Sequence, residues 1–348
     1  MKTIIKRALA LCLTAAMTAL LLAGCGPKQE MPSSGGEDTS IVLTDQAGRT
    51  VTLEKSADRV VSVYYLSTSV LVALGAQDKV VGLEQKADSR VLYQMAAPEL
   101  IDLPAVGSGK GVNVEETAAL EPDVVILPMK LAEQAEQFEK LNIPCLVVDP
   151  ETLDGFWTTV ELLGEATGTQ ERAEELIQYQ RGIMESVATR CAETEERPSV
   201  YIAGSDFLRT AGSGMFQNEL IEMCGGVNAA AELTDASWTD ISPEQLIGWD
   251  PERIYMVSYA EYTRDDVLND TRFASLQALR AEETNFLVFP GAIEPWDYPT
   301  ASMALGALWL GHQLHPDMIP EEEYVSEAQN FYRTFFGIEV GAELLLAH

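Results

Sequence analysis

Histidine is scarce in this chain, and that limits the chemistry open to it. Only His312, His315 and His348 are present, and the last is the C-terminal residue. His312 and His315 fall near the end of an apolar helical run over 300–314, where a cation is favoured by the helix macrodipole. Neither has the clustered imidazole and carboxylate partners that a bare metal site requires. No Gly-x-Ser-x-Gly, His-Glu-x-x-His or Gly-x-x-x-x-Gly-Lys occurs, so hydrolase, zincin and phosphate-loop chemistry lack their motifs. The chain does carry aromatic and polar residues at the ends of short apolar runs. Tyr64 and Tyr65 follow 60–63, Met129 and Lys130 follow 124–127, and Ser205, Asp206 and Arg209 follow 199–203. Ser258 and Tyr259 follow 253–257, and the loop PGAIEPWDYP over 290–299 holds Trp296 and Tyr298. Trp238 precedes a further short helix. Aromatic walls with a few polar groups suit capture of a chelate or macrocycle. Tyr64 or Tyr65 would also serve as a phenolate ligand to haem iron.

The elements that must position these groups alternate. Residues 41–54 (IVLTDQAGRTVTLE) predict a hairpin turning at Gly48. Apolar runs at 60–63, 80–83, 124–127 and 145–148 predict buried strands, with helices over 67–74, 113–120 and 131–141 between them. Strands alternating with helices imply a mostly parallel sheet covered on both faces. Residues 153–191 then read as one long, mostly helical stretch, with Gly164 and Gly168 as the places where it would kink or break. Alternation resumes with strands at 199–203, 253–257 and 286–289 and helices over 216–224, 243–249, 300–314 and 321–336.

An internal repeat links the two halves. One offset of 129 takes Glu115 to Glu244, Glu121 to Asp250, Pro122 to Pro251 and Asp123 to Glu252. Both copies open with capping-box chemistry, Asn113 with Glu116 and Ser242 with Gln245. Each short helix ends at an acidic-Pro-acidic turn and feeds an apolar strand, so the halves read as structural cousins.

The N-terminus reads as an export signal: Lys2, Lys6 and Arg7, then an apolar run of 15 residues over 8–22, then Leu22-Ala23-Gly24-Cys25. The run is shorter than the ~20 residues of a membrane-spanning helix. Its small-small-Cys ending resembles the lipobox of bacterial lipoproteins, which implies cleavage before Cys25 and lipidation of that thiol. Residues 26–40 have no hydrophobic periodicity and read as a flexible tether, about 20 Å in root-mean-square span. The whole chain has a net charge of −31. Cleavage would remove three basic residues and no acid, leaving 20 Lys and Arg against 54 Asp and Glu, a charge of −34. Such acidity argues against nucleic-acid binding, while local basic groups still permit an anionic ligand. Cys145, Cys191 and Cys224 are widely spaced, with no Cys-x-x-Cys, and read as buried free thiols.

Over residues 41 to about 317 the motifs resemble the periplasmic binding proteins of siderophore, haem and cobalamin importers. The matching segments are TDQAGRTVTL, RVVSVYYLSTSVLVALGAQDKVVGL, VGSGKGVNVEETAALEPDVVIL, ISPEQLIGWDPERIYMV and ALGALWLGHQLHPD. The resemblance implies an α/β fold of two Rossmann-like lobes joined by a long backbone helix, with the ligand cleft between them. On that frame the domains are a signal peptide over 1–24, a lipidated tether over 25–40, an N-terminal lobe over 41–152, a linking helix over 153–192, a C-terminal lobe over 193–340 and a tail over 341–348. The implied function is an extracytoplasmic solute-binding lipoprotein of an ABC importer, not an enzyme. It would capture a metal chelate of siderophore, haem or cobalamin type and deliver it to the permease. An oxyanion such as molybdate is the alternative ligand; an exported enzyme and a surface scaffold are the rival classes. Tyr64, Tyr65, Lys130, Arg209, Trp238, Tyr259, Trp296 and Tyr298 are the expected ligand contacts. Glu115 and Glu244 match the family's permease-docking glutamates, one on each lobe. No catalytic residue, resident cofactor or protein-bound metal is expected, and the protein should be a monomer held at the membrane by its lipid.

Overall fold

The computed structural model describes residues 40–235, 237–280 and 285–346. The leader, Cys25, most of the tether and His348 lie outside the described residues. Strands β1 (Ile41–Thr44) and β2 (Thr50–Leu53) form the expected antiparallel hairpin, with Gly48 at φ 77° in its turn. Asp45 accepts from the Val147 amide at 3.0 Å, which docks the hairpin onto the edge of the first sheet.

That sheet is built from short β-branched runs. In chain order its elements are β3 (Val60–Ser62), α1 (Tyr65–Ala73), β4 (Val80–Glu84), α2 (Val91–Ala96), β5 (Ala105–Ser108), β6 (Gly111–Val112), α3 (Val114–Ala119), β7 (Val124–Pro128), α4 (Ala135–Glu139) and β8 (Cys145–Val148). The strand order is β6-β5-β4-β3-β7-β8, parallel except for β6. Every residue of β3, β7 and β8 is buried, as expected for a parallel sheet covered on both faces. Sequence patterning had no element for residues 85–112. They hold α2, β5 and β6, whose edge strands are too short and polar for periodicity to register.

The stretch over 153–192 is two helices rather than one linking helix. Helix α5 (Leu153–Thr167) stops at Gly168, which adopts φ 75° and caps it. Helix α6 (Gln170–Cys191) restarts at once and packs back against α5. Gly164 is not a kink: a Cβ there would stand 2.6 Å from Ala173 Cβ, so it marks the close crossing of the two helices. Helix α5 packs on α1 and β1. The bridging element is therefore α6, 22 residues and about 33 Å long.

The second sheet follows with β9 (Ser199–Ala203), β10 (Arg209–Thr210), α7 (Phe216–Met223), β11 (Val227–Asn228), β12 (Thr239–Asp240), α8 (Pro243–Trp249), β13 (Arg253–Met256), α9 (Arg264–Leu268), α10 (Gln277–Arg280) and β14 (Phe286–Val288). Its order is β12-β10-β9-β13-β14, with β11 beside β9. Helices α11 (Met303–Leu314), α12 (Glu321–Phe331) and α13 (Ala342–Leu345) close the chain, and Tyr332–Phe336 forms a π-helical turn. Helix α11 packs against α6 and α7. No strand pairs across the two sheets, and no helix is long and apolar enough to cross a membrane, among the described residues.

The repeat is present in the backbone. Glu121 and Asp250 both adopt left-handed φ, at 48° and 41°. Asp123 accepts from the Asp58 and Arg59 amides, and Glu252 accepts from the Ser199 amide, so each acid clamps the start of the preceding parallel strand. Asn113 and Ser242 each cap their helix through the amide three residues on. Cys145, Cys191 and Cys224 are buried free thiols.

Candidate functional site

The carboxyl ends of the two sheets face a cavity of about 660 Å³. Strand β3 runs into Tyr64 and Tyr65 at the amino end of α1, and β7 runs into Lys130. The segment after β4 adds Lys86 and Arg90, and the turn after β5 adds Lys110. From the second lobe come Ser205, Arg209, Trp238, Tyr259 and Tyr298. A chain of charge −31 thus turns five cations towards one cavity. Arg209 is paired with Asp240 at 3.1 Å. Lys86, Arg90, Lys110 and Lys130 form no ion pair among the described residues. Glu84 lines it too, buried and accepting from Thr68 and Tyr93, so the cations are in excess, and an excess of one sign focuses the field on whatever enters.

Arg90 is the most constrained of these cations. Its guanidinium lies 4.0 Å over the Tyr65 ring, a cation–π arrangement. Its Nε is buried with no hydrogen-bond partner among the described residues. An orphan buried donor is costly. Lys130 Nζ lies 5.6 Å from the Tyr64 ring centre. Trp238 reaches its place because residue 204 is glycine: a Cβ there would stand 2.7 Å from the indole.

The tyrosines are set as neutral hydrogen-bond donors. Tyr64 Oη donates to Glu151 at 2.8 Å and Tyr65 Oη to Glu294 at 3.1 Å. Burial first, and neighbouring tyrosine or carboxylate groups next, raise both phenol pKa values. In the metal-free protein both side chains are therefore phenols whose protons point at carboxylates. Tyr298 meets Tyr259 edge-on at 6.1 Å, and burial pushes its pKa up to about 12.

Trp296 corrects an expectation. It is 2 % exposed, does not line the cavity, and donates from Nε1 to Tyr332 Oη at 3.0 Å. The loop PGAIEPWDYP turns so that Pro295 and Tyr298 face the cavity, while the indole goes under it. Gly306 of α11 permits this, since a Cβ there would lie 2.1 Å from the Trp296 carbonyl oxygen. Met129 lines a side chamber with Tyr64 and Lys130, and Asp206 lines a separate hollow. His312 Nδ1 bonds the Ile319 carbonyl at 2.7 Å. His315 is buried, and desolvation lowers its pKa, so it is not the helix-end cation its position implied. No group of three potential metal ligands occurs among the described residues. Lys110 follows β5, for which the sequence patterning has no strand, while Lys86 and Arg90 follow β4, which the run at 80–83 predicts; the carboxyl-end rule, applied to both strands, finds all three.

Behind Tyr259 lies Asp297, fully buried, accepting from the Tyr259 hydroxyl at 3.1 Å. Burial pushes its pKa from the usual 3.8 to about 7. The native state therefore holds this proton more tightly than the unfolded chain does. Its contribution to stability is intact below the unfolded value and is lost as pH rises through about 7. Asp297→Asn should gain stability relative to wild type by about 2–3 kcal/mol between pH 5 and pH 8. Urea unfolding at the two pH values measures it, and a pH-independent difference would mean the carboxyl is not protonated as inferred.

Glu115 and Glu244 are exposed, each in the first turn of its capped helix, α3 and α8. Neither forms an ion pair among the described residues.

A family model for periplasmic binding proteins matches residues 60–284. The molybdate-binding protein MolA of Haemophilus influenzae is 26% identical over 321 residues, 85% of this chain and 90% of that protein. Its structure with molybdate bound superposes with a TM-score of 0.78 at 26% identity, covering 86% of this chain and 99% of that one. An uncharacterised ABC transporter substrate-binding lipoprotein of Bacillus subtilis, YvrC, is 26% identical over 251 residues, 68% of this chain and 77% of that protein. A periplasmic solute-binding protein from Veillonella parvula superposes with a TM-score of 0.77 at 27% identity, covering 88% of this chain and 95% of that one.

Proposed function

This chain belongs to the periplasmic binding protein family, and from that premise we propose that its cleft captures an anionic metal chelate for an ABC importer. Solute capture outside the cytoplasm for an ABC transporter is the role of the family. The observation that carries the finer reading is the lining of the cavity: five cations against one carboxyl, Glu84, with Tyr64, Tyr65, Trp238, Tyr259 and Tyr298 as aromatic walls. The amino end of α1 also opens onto it, with no acidic residue in its first turn, so the helix dipole adds to the attraction for an anion. Pockets of ~300–1,000 Å³ hold ligands of drug size. A chelate with a charged rim and flat ligand faces would use both the cations and the rings. A tetrahedral oxyanion would leave most of the 660 Å³ to water.

Molybdate remains the second reading, supported by the cationic lining and by the likeness to MolA. Within this proposal Cys25 is the lipidated mature N-terminus, in keeping with the leader and with the lipoprotein YvrC. Native mass spectrometry with metal analysis on protein purified from its source should find an anionic metal complex bound and acyl mass on Cys25. Calorimetry should then show binding of an iron(III) catecholate that weakens with salt. Binding of molybdate or of uncharged cobalamin alone would reject the anionic-chelate reading, and an unmodified or uncleaved N-terminus would reject the anchor.

A further inference from the structure

Glu294 is fully buried where the two lobes meet. Its Oε1 accepts from Ser69 Oγ at 2.5 Å and from Tyr65 Oη at 3.1 Å, both on α1 of the first lobe. Its Oε2 accepts from Ser302 Oγ at 2.5 Å, at the start of α11 in the second. Ser302 Oγ lies 3.2 Å from Tyr332 Oη, which opens the π-helical turn that packs against α1. Arg172 of α6 ties the same turn by donating to the Thr334 carbonyl. All nine residues of α1 are buried. The three hydroxyls, and then Arg90, offset the desolvation of the carboxyl.

Taking a carboxylate out of water is costly, and apolar replacements of buried ionic groups are often as stable. An apolar residue, however, would not require hydroxyls from two lobes to converge on fixed points. In some proteins geometric specificity is what such a group contributes. A contact between lobes that also touches the ligand shelf is where specificity would matter here. The Tyr65 hydroxyl is held by Glu294, and the Tyr65 ring carries the Arg90 guanidinium at the cavity wall.

We infer that Glu294 is a positioning residue for capture: it latches α1 to the second lobe and so holds Tyr65, and through it Arg90, in the binding arrangement. The capture half of this inference rests on the proposed anionic-chelate function; the latch half does not. Each acceptor oxygen of Glu294 serves a different lobe, so losing the side chain should loosen the seam without unfolding either sheet.

The test is hydrogen–deuterium exchange on the full chain, for wild type, Glu294→Ala, Glu294→Gln and the double variant Ser69→Ala with Ser302→Ala. Glu294→Ala should raise exchange over 65–73 and 332–336 by about tenfold, with β8 and β14 unchanged. Glu294→Gln keeps the shape and one acceptor and should restore most protection. The serine pair removes one donor from each lobe without opening a large cavity and should fall between; it carries the test if Glu294→Ala does not fold. In parallel, affinity for an iron(III) catecholate should drop about tenfold in Glu294→Ala and recover in Glu294→Gln. Unchanged exchange over 65–73, or an equal rise through both sheets, overturns the latch. Normal catecholate affinity in Glu294→Ala overturns the positioning role. If wild type itself ignores the catecholate, the chelate reading falls, while the exchange results still decide the latch.

Discussion

Arg90→Gln should lower affinity for an anionic ligand about a hundredfold and leave the fold intact. Hydrogen bonds to charged groups contribute ~1.5–3 kcal/mol, and desolvated arginines at binding hot spots exceed 2 kcal/mol. Arg90 lines the cavity, and its Nε is buried with no hydrogen-bond partner among the described residues. It has no ion-pair partner among the described residues, so glutamine leaves no carboxylate newly stranded. The charge does help Glu84 and Glu294 to ionise, so their pKa values should rise somewhat further in the variant. Arg90→Lys keeps the charge but loses the planar stack on Tyr65, and should give an intermediate loss. Calorimetry with the iron(III) catecholate, beside a thermal unfolding curve, separates affinity from stability. Full affinity in Arg90→Gln would move the anionic contact to Lys86, Lys110 or Lys130.

The double replacement Glu115→Ala with Glu244→Ala should abolish ligand uptake while leaving ligand affinity unchanged. The two carboxylates occupy equivalent first turns on α3 and α8, both exposed and both outside the cavity lining. A permease of two similar halves can meet such a pair with two basic patches. One exposed ion pair contributes only ~0–1 kcal/mol. Two on one body reinforce each other through effective concentration, so losing both should hurt more than losing either. Docking of the wild type should weaken with salt, since exposed charges are screened beyond ~8 Å at physiological ionic strength. Uptake into vesicles holding the partner permease, paired with calorimetry on the same variant, decides it. Normal uptake would sink the docking role, and lost affinity would place these glutamates in the cleft.

Much of this site is legible in the amino-acid sequence. Tyr64, Tyr65, Lys130, Arg209, Trp238, Tyr259 and Tyr298 all follow or flank strand ends, and all reach the cavity. Trp296 did not, because one turn of the 290–299 loop decides which aromatic faces the cleft. The partner that holds its indole, Tyr332, lies 36 residues away. Arg90 escaped notice for a different reason. It lies beyond the end of β4, past the helical turn over Ala87–Ser89, so the strand end alone does not point to it.

Local chemistry was enough for everything that acts within a few residues. The 129-residue offset, the caps at Asn113 and Ser242, and the apolar runs specified two related α/β halves, since periodicity, capping and turn chemistry are short-range. The break at Gly168 was visible as a candidate because glycine alone readily takes φ 75°. Only the tertiary structure decided that α5 belongs with the first sheet, that four cations around one cavity have no ion-pair partner among the described residues, and that Glu294 collects hydroxyls from both lobes. Those outcomes depend on groups up to 229 residues apart, and burial, desolvation and charge pairing exist only once such groups have been brought together.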